Sequence, residues 1–581
     1  MHLPPWVSFL LAVEWEPFSM WCRFVPPCAA GALVICAITP RASAIISSNP
    51  APYQGVTINT FIGADRFYDA GFLGQSAVVA NIEGGFVWNQ HETLTQVTTF
   101  FNDPSITGQF DAHATAVGQT IAGEGSLFYH QAGIAPFANL WSGAIATGFG
   151  PGGSFFLSDA SFATPYLMAM KTGVNGLGTA DVINSSWGDA SELDGNGLYT
   201  LTIDALAAAT GKTVVLAAGN SGPGADTVGS PASGFNAIVV GALGSDTSNP
   251  QYGTPSNFSS RGPNDVFIPI AADGSAGVTL KAKRAPVDLA APGENLIVAY
   301  YGGATGSNSG GIDTSNGATN FYSFNAAGTS FAAPIVAGGA ALLVDAAHSY
   351  FPNDDKAVDG RVIKAVLMNA ADKTVGWDNG QWLIGGVVRT TQALDYATGA
   401  GRVDLSKAFD QFLGNGTHDL TGLGGGSVET VGWDYGRAAL GSPSDYLIDR
   451  SLLGGSELTA TLDWFADSRV DDAGFNPTYG SLDELDLQVW SAIDGIASTL
   501  VAESDSAYGS SQHLSFALPS DGDYLLRVVW AQTDYNLAGA APAADYAIAW
   551  SSTAVPEPAS MTMLGIAAVS MTRLRRRRRV R

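Results

Sequence analysis

The chain has 581 residues, 46% hydrophobic and 14% charged, enough for two to four folded domains. Its net charge of −25, with seven of the 27 Lys and Arg confined to the last nine residues, argues against general nucleic-acid binding. The three cysteines are Cys22, Cys28 and Cys36. A chain cleaved after Ala44 therefore carries neither a disulfide nor a catalytic or metal-binding thiolate.

Residues 1–44 read as a secretory leader. Arg23 gives a basic start, Ala29–Thr39 an apolar run, and Ala42-Ser43-Ala44 a small-residue cleavage site. Glu14 and Glu16 fit poorly ahead of that start, so Met20 is the expected initiator. Residues 45–412 alternate short apolar runs with helices. Val78–Ile82, Thr213–Ala218 and Ala237–Gly241 are bounded by turn signals, the pattern of buried parallel strands. Helices are expected near Leu201–Thr210, capped by Gly211, from Ser330 to about Ala347, and near Gly360–Ala371. This alternation predicts an α/β domain, a parallel sheet with helices on both faces.

Residues 413–427, with the break at Gly422-Leu423-Gly424-Gly425-Gly426-Ser427, read as a linker. From 428 to 553 the pattern has period two: Leu458–Trp464, Leu485–Trp490, Tyr524–Trp530 and Tyr546–Trp550. Turn signals such as Ser520-Asp521-Gly522-Asp523 separate these runs, which predicts a small antiparallel β-sandwich. In residues 554–581, Val555-Pro556-Glu557-Pro558 precedes the apolar stretch Ala559–Thr572 and an arginine cluster. As a helix that stretch spans roughly 21 Å, short of the ~30 Å hydrocarbon core. The arginines are expected on the cytoplasmic side.

Gly328-Thr329-Ser330-Phe331-Ala332-Ala333-Pro334 places a serine at the mouth of a small-residue helix. A serine hydroxyl needs a base for its proton and donors for the oxyanion. His113 opens another small-residue helix, Asn220 follows the strand ending in Ala217-Ala218, and Glu83 ends the strand beginning at Val78. Catalytic groups of open α/β sheets gather at such carboxyl ends.

In this order of acid, histidine, asparagine and serine the chain resembles the subtilisin-like serine proteases, over about residues 60–410. Collinear matches include Gly133-Ile134-Ala135-Pro136, Val182–Gly188, Phe258–Pro263, Ala291-Pro292-Gly293 and Gly399–Asp404. The resemblance implies Ser330 as nucleophile, His113 as general base, Glu83 as orienting acid and Asn220 as oxyanion donor. It also implies Ser185, Ser186, Trp187 and Gly188 as the segment that pairs with an extended substrate strand. Two departures stand out. Glu83-Gly84-Gly85 replaces the family's aspartate, usually followed by Thr-Gly, and Ala114 replaces the usual glycine after the histidine. No segment resembles the inhibitory prodomain.

Residues 428–553 resemble the C-terminal β-domain of some subtilisin-like proteases. The tail resembles the PEP-CTERM sorting signal, which implies export to a bacterial envelope, transient membrane insertion and an exosortase-type processing partner. The expected function is an exported serine endopeptidase acting on extended polypeptides through an acyl-enzyme. The rival readings are a pseudoprotease that binds peptide in the envelope or matrix, and a matrix-binding protein that works through its sandwich. No cofactor is expected. Structural calcium at Asp483, Glu484 and Asp486 is set against a solvated acidic strand end, and a metal at His91 and Glu92 against a surface loop.

Overall fold

The apolar run at Val78 forms strand β1 (Val78–Glu83), buried from Val79 onward. In the computed structural model, which describes residues 57–125, 132–245, 252–270, 275–302, 322–390, 392–414, 416–418, 424–471, 476–537, 539 and 543–553, β1 lies inside a seven-stranded sheet. The leader and sorting tail lie outside the described residues, as do residues 419–423 of the expected linker. The other strands are β2 (Thr99–Asn102), β3 (Asn139–Ala144), β4 (Val182–Ser185), β5 (Thr213–Ala217), β6 (Ile238–Leu243) and β7 (Leu289–Pro292). Their order is β7-β6-β5-β4-β1-β3-β2, and every pairing is parallel. The chain turns from one side of β1 to the other between β3 and β4, so the crevice beyond the ends of β1 and β4 is the topological switch point.

The helices needed to place the site are α1 (Ala112–Ala122), α2 (Asp159–Leu167), α3 (Leu198–Thr210), α4 (Thr329–Tyr350) and α5 (Gly360–Asn369). Asp111 caps α1 by accepting the Ala114 N–H at 2.9 Å. Gly211 ends α3 in the left-handed conformation, φ 66°, that lets the last carbonyls be bonded. The apolar helix α4 is long enough to cross a membrane, but it is the buried central helix of this domain. Its small side chains explain the close fit: a Cβ on Gly338 would lie 2.6 Å from Ile134, and one on Gly339 2.7 Å from Leu405.

The β-rich region reaches further back in the chain than its period-two pattern does. A hairpin of β8 (Gln381–Ile384) and β9 (Val387–Thr390) precedes β10 (Gly426–Val428), β11 (Val431–Ala439), β12 (Ser444–Ile448), β13 (Glu457–Trp464) and β14 (Thr478–Ile493). Then follow β15 (Ile496–Ser504), β16 (Ser511–Ala517), β17 (Asp523–Asn536) and β18 (Ala543–Thr553). One sheet runs β8-β9-β15-β14-β17-β12-β10, with Asp467–Arg469 also paired to β14. The other runs Thr417–His418, β11, β18, β13, β16. Three pairings, including Val388 beside Ala502 in β9 and β15, are parallel because segments from before the sandwich add to its edges. Trp464, Trp550, Leu485 and Leu487 fill the space between the sheets.

Trp433, Tyr435, Ala547 and Ala549, on the opposite face, join the core around α4 and α5. At the centre of this seam Lys364 Nζ lies 3.1 Å from Asp288 and 3.2 Å from Asp463, and also donates to the Phe235 and Ala237 carbonyls.

Candidate active site

Three neighbouring strands deliver groups to the crevice from their carboxyl ends. Glu83 is the last residue of β1, Ser186 follows β4, and Asn220 follows β5. The other two groups come from helix starts. His113 is the second residue of α1 and Ser330 the second of α4. Backbone N–H groups in the first turn of a helix have no intrahelical partner, so the Ser330 N–H is free to bind an incoming oxygen.

Glu83 is buried, and its Oε2 lies 3.1 Å from Nδ1 of His113. Its Oε1 accepts the Ser186 backbone N–H at 2.7 Å. The imidazole, 41% exposed, opens toward the cleft. Desolvation around the ring opposes its protonation. The hydrogen bond and charge of Glu83, with the charge of Asp111, outweigh that and raise its pKa. The Ser330 hydroxyl donates to the Ser186 carbonyl at 3.0 Å rather than to His113. Catalytic contacts often close only when substrate is bound.

Asn220 is oriented by Thr329. Its Oδ1 accepts from Thr329 N at 2.9 Å and from Thr329 Oγ1 at 3.1 Å, while Thr329 Oγ1 accepts from Gly219 N at 3.1 Å. With Oδ1 so engaged, Asn220 lines the cleft. Gly328 stands between the donors: a Cβ there would lie 3.6 Å from Ser330 N and 3.7 Å from Asn220 Nδ2. Its φ of 153° and ψ of 153° belong to a region used essentially by glycine alone. The Phe258–Pro263 motif buttresses the same turn, with Ser260 Oγ accepting from Ser221 N at 3.1 Å.

The cleft has a volume of about 660 Å³. Its floor carries His113, Ser330 and Asn220, and its walls include Phe155, Trp187 and Tyr199. Trp187 meets Phe155 and Tyr199 edge-on at 6.0 and 6.1 Å. Of the expected substrate segment, Ser186, Trp187 and Gly188 line the cleft. Ser185 does not: it is fully buried and its Oγ lies 2.6 Å from the Tyr166 hydroxyl. The alternation of strand β4 explains this, since residue 185 faces inward when 186 reaches the strand end.

Several groups went unread in the sequence. Tyr166 is a buried phenol on α2 with its pKa raised chiefly by burial. Asn81 and Asn184 link β1, β4 and α1 beneath the site: Asn184 Nδ2 donates to Asn81 Oδ1 at 3.0 Å, and Asn81 Nδ2 to Ala114 O at 3.3 Å. Asparagines inside apolar strand runs were the available signal.

His91 is not on a surface loop. It is 1% exposed, its Nδ1 lies 3.0 Å from Thr93 Oγ1, and its ring packs edge-on against Tyr322. Glu92 accepts from the Tyr322 hydroxyl at 2.7 Å. Asp483, Glu484 and Asp486 lie within β14 rather than at a strand end, and burial pushes Asp483 up to about 6 and Asp486 up to about 7. Among the described residues no group of three or more His, Cys, Asp or Glu side chains is arranged to hold a metal ion.

An acid bonded to an imidazole, a serine at a helix mouth and an amide oriented by its neighbour thus lie together at the switch point of a parallel sheet. The subtilase family model, Peptidase_S8, matches residues 74–401, more than half of the chain, and the chain belongs to that family. Subtilisin of Bacillus sp. (strain TA39) is 28% identical over 214 residues, 37% of this chain and 46% of that one. Serine protease AprX of Bacillus subtilis (strain 168) is 34% identical over 166 residues, 28% of this chain and 31% of that one. Minor extracellular protease Vpr of Bacillus subtilis (strain 168) is 31% identical over 196 residues, 31% of this chain and 22% of that one. The chain thus spans less than half the length of these curated relatives. Among solved structures, the prenylagaramide maturation protease PagA is similar with a TM-score of 0.41 and 19% identity, over 60% of this chain and 98% of that one. The PEP-CTERM protein-sorting motif matches residues 554–579, which marks an exported, envelope-associated protein.

Proposed function

We propose that this chain is a serine endopeptidase that hydrolyses extended polypeptides through an acyl-enzyme, with a Glu83-His113-Ser330 triad. The observation that carries the reading is the contact of Glu83 Oε2 with His113 Nδ1, in a cleft where Ser330 N and Asn220 Nδ2 lie 3.6 and 3.7 Å from the position a Cβ on Gly328 would take. Substrate enters as a strand along Ser186–Gly188, and its N–H groups compete for the Ser186 carbonyl. The Ser330 hydroxyl then leaves that carbonyl and turns to His113, which takes its proton through Nε2 as Oγ attacks the scissile carbonyl. Asn220 Nδ2 and Ser330 N–H hold the oxyanion. His113 next protonates the leaving amine, and a water, activated by the same imidazole, releases the acyl group. General acid–base transfer of this kind contributes about 10²–10⁴-fold.

The sorting motif adds an exosortase-type processing enzyme as the expected partner, acting near Val555-Pro556-Glu557-Pro558 after transient membrane insertion. Labelling with a serine-directed phosphonate tests the activity. The purified protein is expected to label stoichiometrically and to lose both labelling and turnover in Ser330→Ala. A well-folded protein that takes no label is a peptide-binding pseudoprotease instead.

A further inference from the structure

The carboxylate of Glu83 has no slack. Its Cα is set by the ladders of β1, with Glu83 beside Ala144 on one side and Asn81 beside Asn184 on the other. Its side chain is 1% exposed, and both oxygens are engaged, with His113 Nδ1 at 3.1 Å and Ser186 N at 2.7 Å. The same Ser186 residue offers its carbonyl to Ser330 Oγ at 3.0 Å. One residue therefore braces the acid through its N–H and the nucleophile through its carbonyl. Just before it, the buried pair Ser185 and Tyr166 secures the end of β4.

We infer that the acid position of this site is built for glutamate, with the Ser186 N–H as its positioning group, and that the family's shorter aspartate does not replace it. This rests on the peptidase reading above. An aspartate on the same Cα withdraws the carboxylate by one C–C bond, about 1.5 Å. Contacts of 3.1 and 2.7 Å then open toward or beyond the limit of hydrogen bonding. The backbone is not free to follow. A Cβ on Gly84 would lie 2.9 Å from the Phe155 ring, and one on Gly85 only 2.6 Å from Gln109 O, so the chain after Glu83 already touches both neighbours. Advancing β1 would also break its register with β3 and β4. Gly84, which stands where the family usually has threonine, belongs to the same rebuilding, because the absence of a side chain there lets Phe155 close on the strand end.

The test compares wild type, Glu83→Asp and Glu83→Gln in the full chain. The measurements are kcat/KM against pH on a chromogenic peptide, the phosphonate labelling rate, and the urea midpoint. Glu83→Asp is expected to fall about 100-fold, the cost of a misplacement of that size. Its acid limb should move to lower pH, as in Glu83→Gln, because the contact that raises the His113 pKa is lost. A merely structural role for Glu83 would lower the urea midpoint without moving that limb. Wild-type rate and limb in Glu83→Asp overturn the inference alone. A wild type that takes no label overturns the peptidase reading and this inference with it. Should Glu83→Asp fail to fold, the crystal structure of the wild-type protein decides, and a Glu83 carboxylate lacking either contact overturns the inference.

Discussion

Asn220 in the cleft and Lys364 in the seam both join separate elements through side-chain hydrogen bonds, and they differ in what is left over. Asn220 spends its oxygen on Thr329, and among the described residues its amide donors meet no acceptor. Lys364 spends everything: two carboxylates and two carbonyls surround its ammonium. A group meant to stabilise a charge that appears only in the transition state must be held in place yet unsatisfied in the resting state. A buried charge meant to hold two sheets together must be fully satisfied, because removal of one partner leaves the other uncompensated. On the proposed peptidase reading the first region serves a ligand, whereas the second serves the protein itself.

The largest effect is expected at the cleft. Asn220→Ala is expected to lower kcat by about 10²–10³ with KM nearly unchanged. Steady-state kinetics check it, and a rise in KM alone would assign Asn220 to ground-state binding. In the seam, Lys364→Met is expected to destabilise by roughly 3–5 kcal/mol in urea unfolding above about pH 7, where Asp463 has given up its proton and the two carboxylates lose their shared cation. An unchanged midpoint would show that the seam does not depend on that charge.

The smallest effect is a pH slope. Burial pushes Asp463 up to about 7, and the charge of Lys364 only partly opposes it. Between the unfolded value of about 4 and that folded value, the native state keeps a proton that the unfolded chain releases. This group therefore makes stability fall as pH rises through that window, by up to about 1.4 kcal/mol per pH unit. Asp463→Asn is expected to flatten this slope, and unfolding midpoints from pH 4 to 7 measure it.

Strand and helix positions were legible because the large sheets are strongly patterned. The runs at Val78, Thr213 and Ala237 became β1, β5 and β6, and the helix expected at Ser330 became α4. The candidate residues Glu83, His113, Asn220 and Ser330 meet in one crevice, yet nothing local in the sequence shows that Thr329 fixes the Asn220 amide or that Ser186 braces Glu83. Those contacts run between residues 103 and 109 positions apart. The inward turn of Ser185 and the burial of His91 were equally hidden, because each depends on what packs above it.

Local pattern determined the elements: apolar period, turn residues and small-residue helices act within a few positions and need no partner. Motif order likewise determined which side chains compete for the site. Tertiary structure decided how far each one reaches. The parallel ladders fix the Cα of Glu83, the glycines beside it remove all slack, and the Ser186 peptide meets the second carboxylate oxygen. A sequence records that the acid is one methylene longer. Only the packed sheet converts that methylene into a distance.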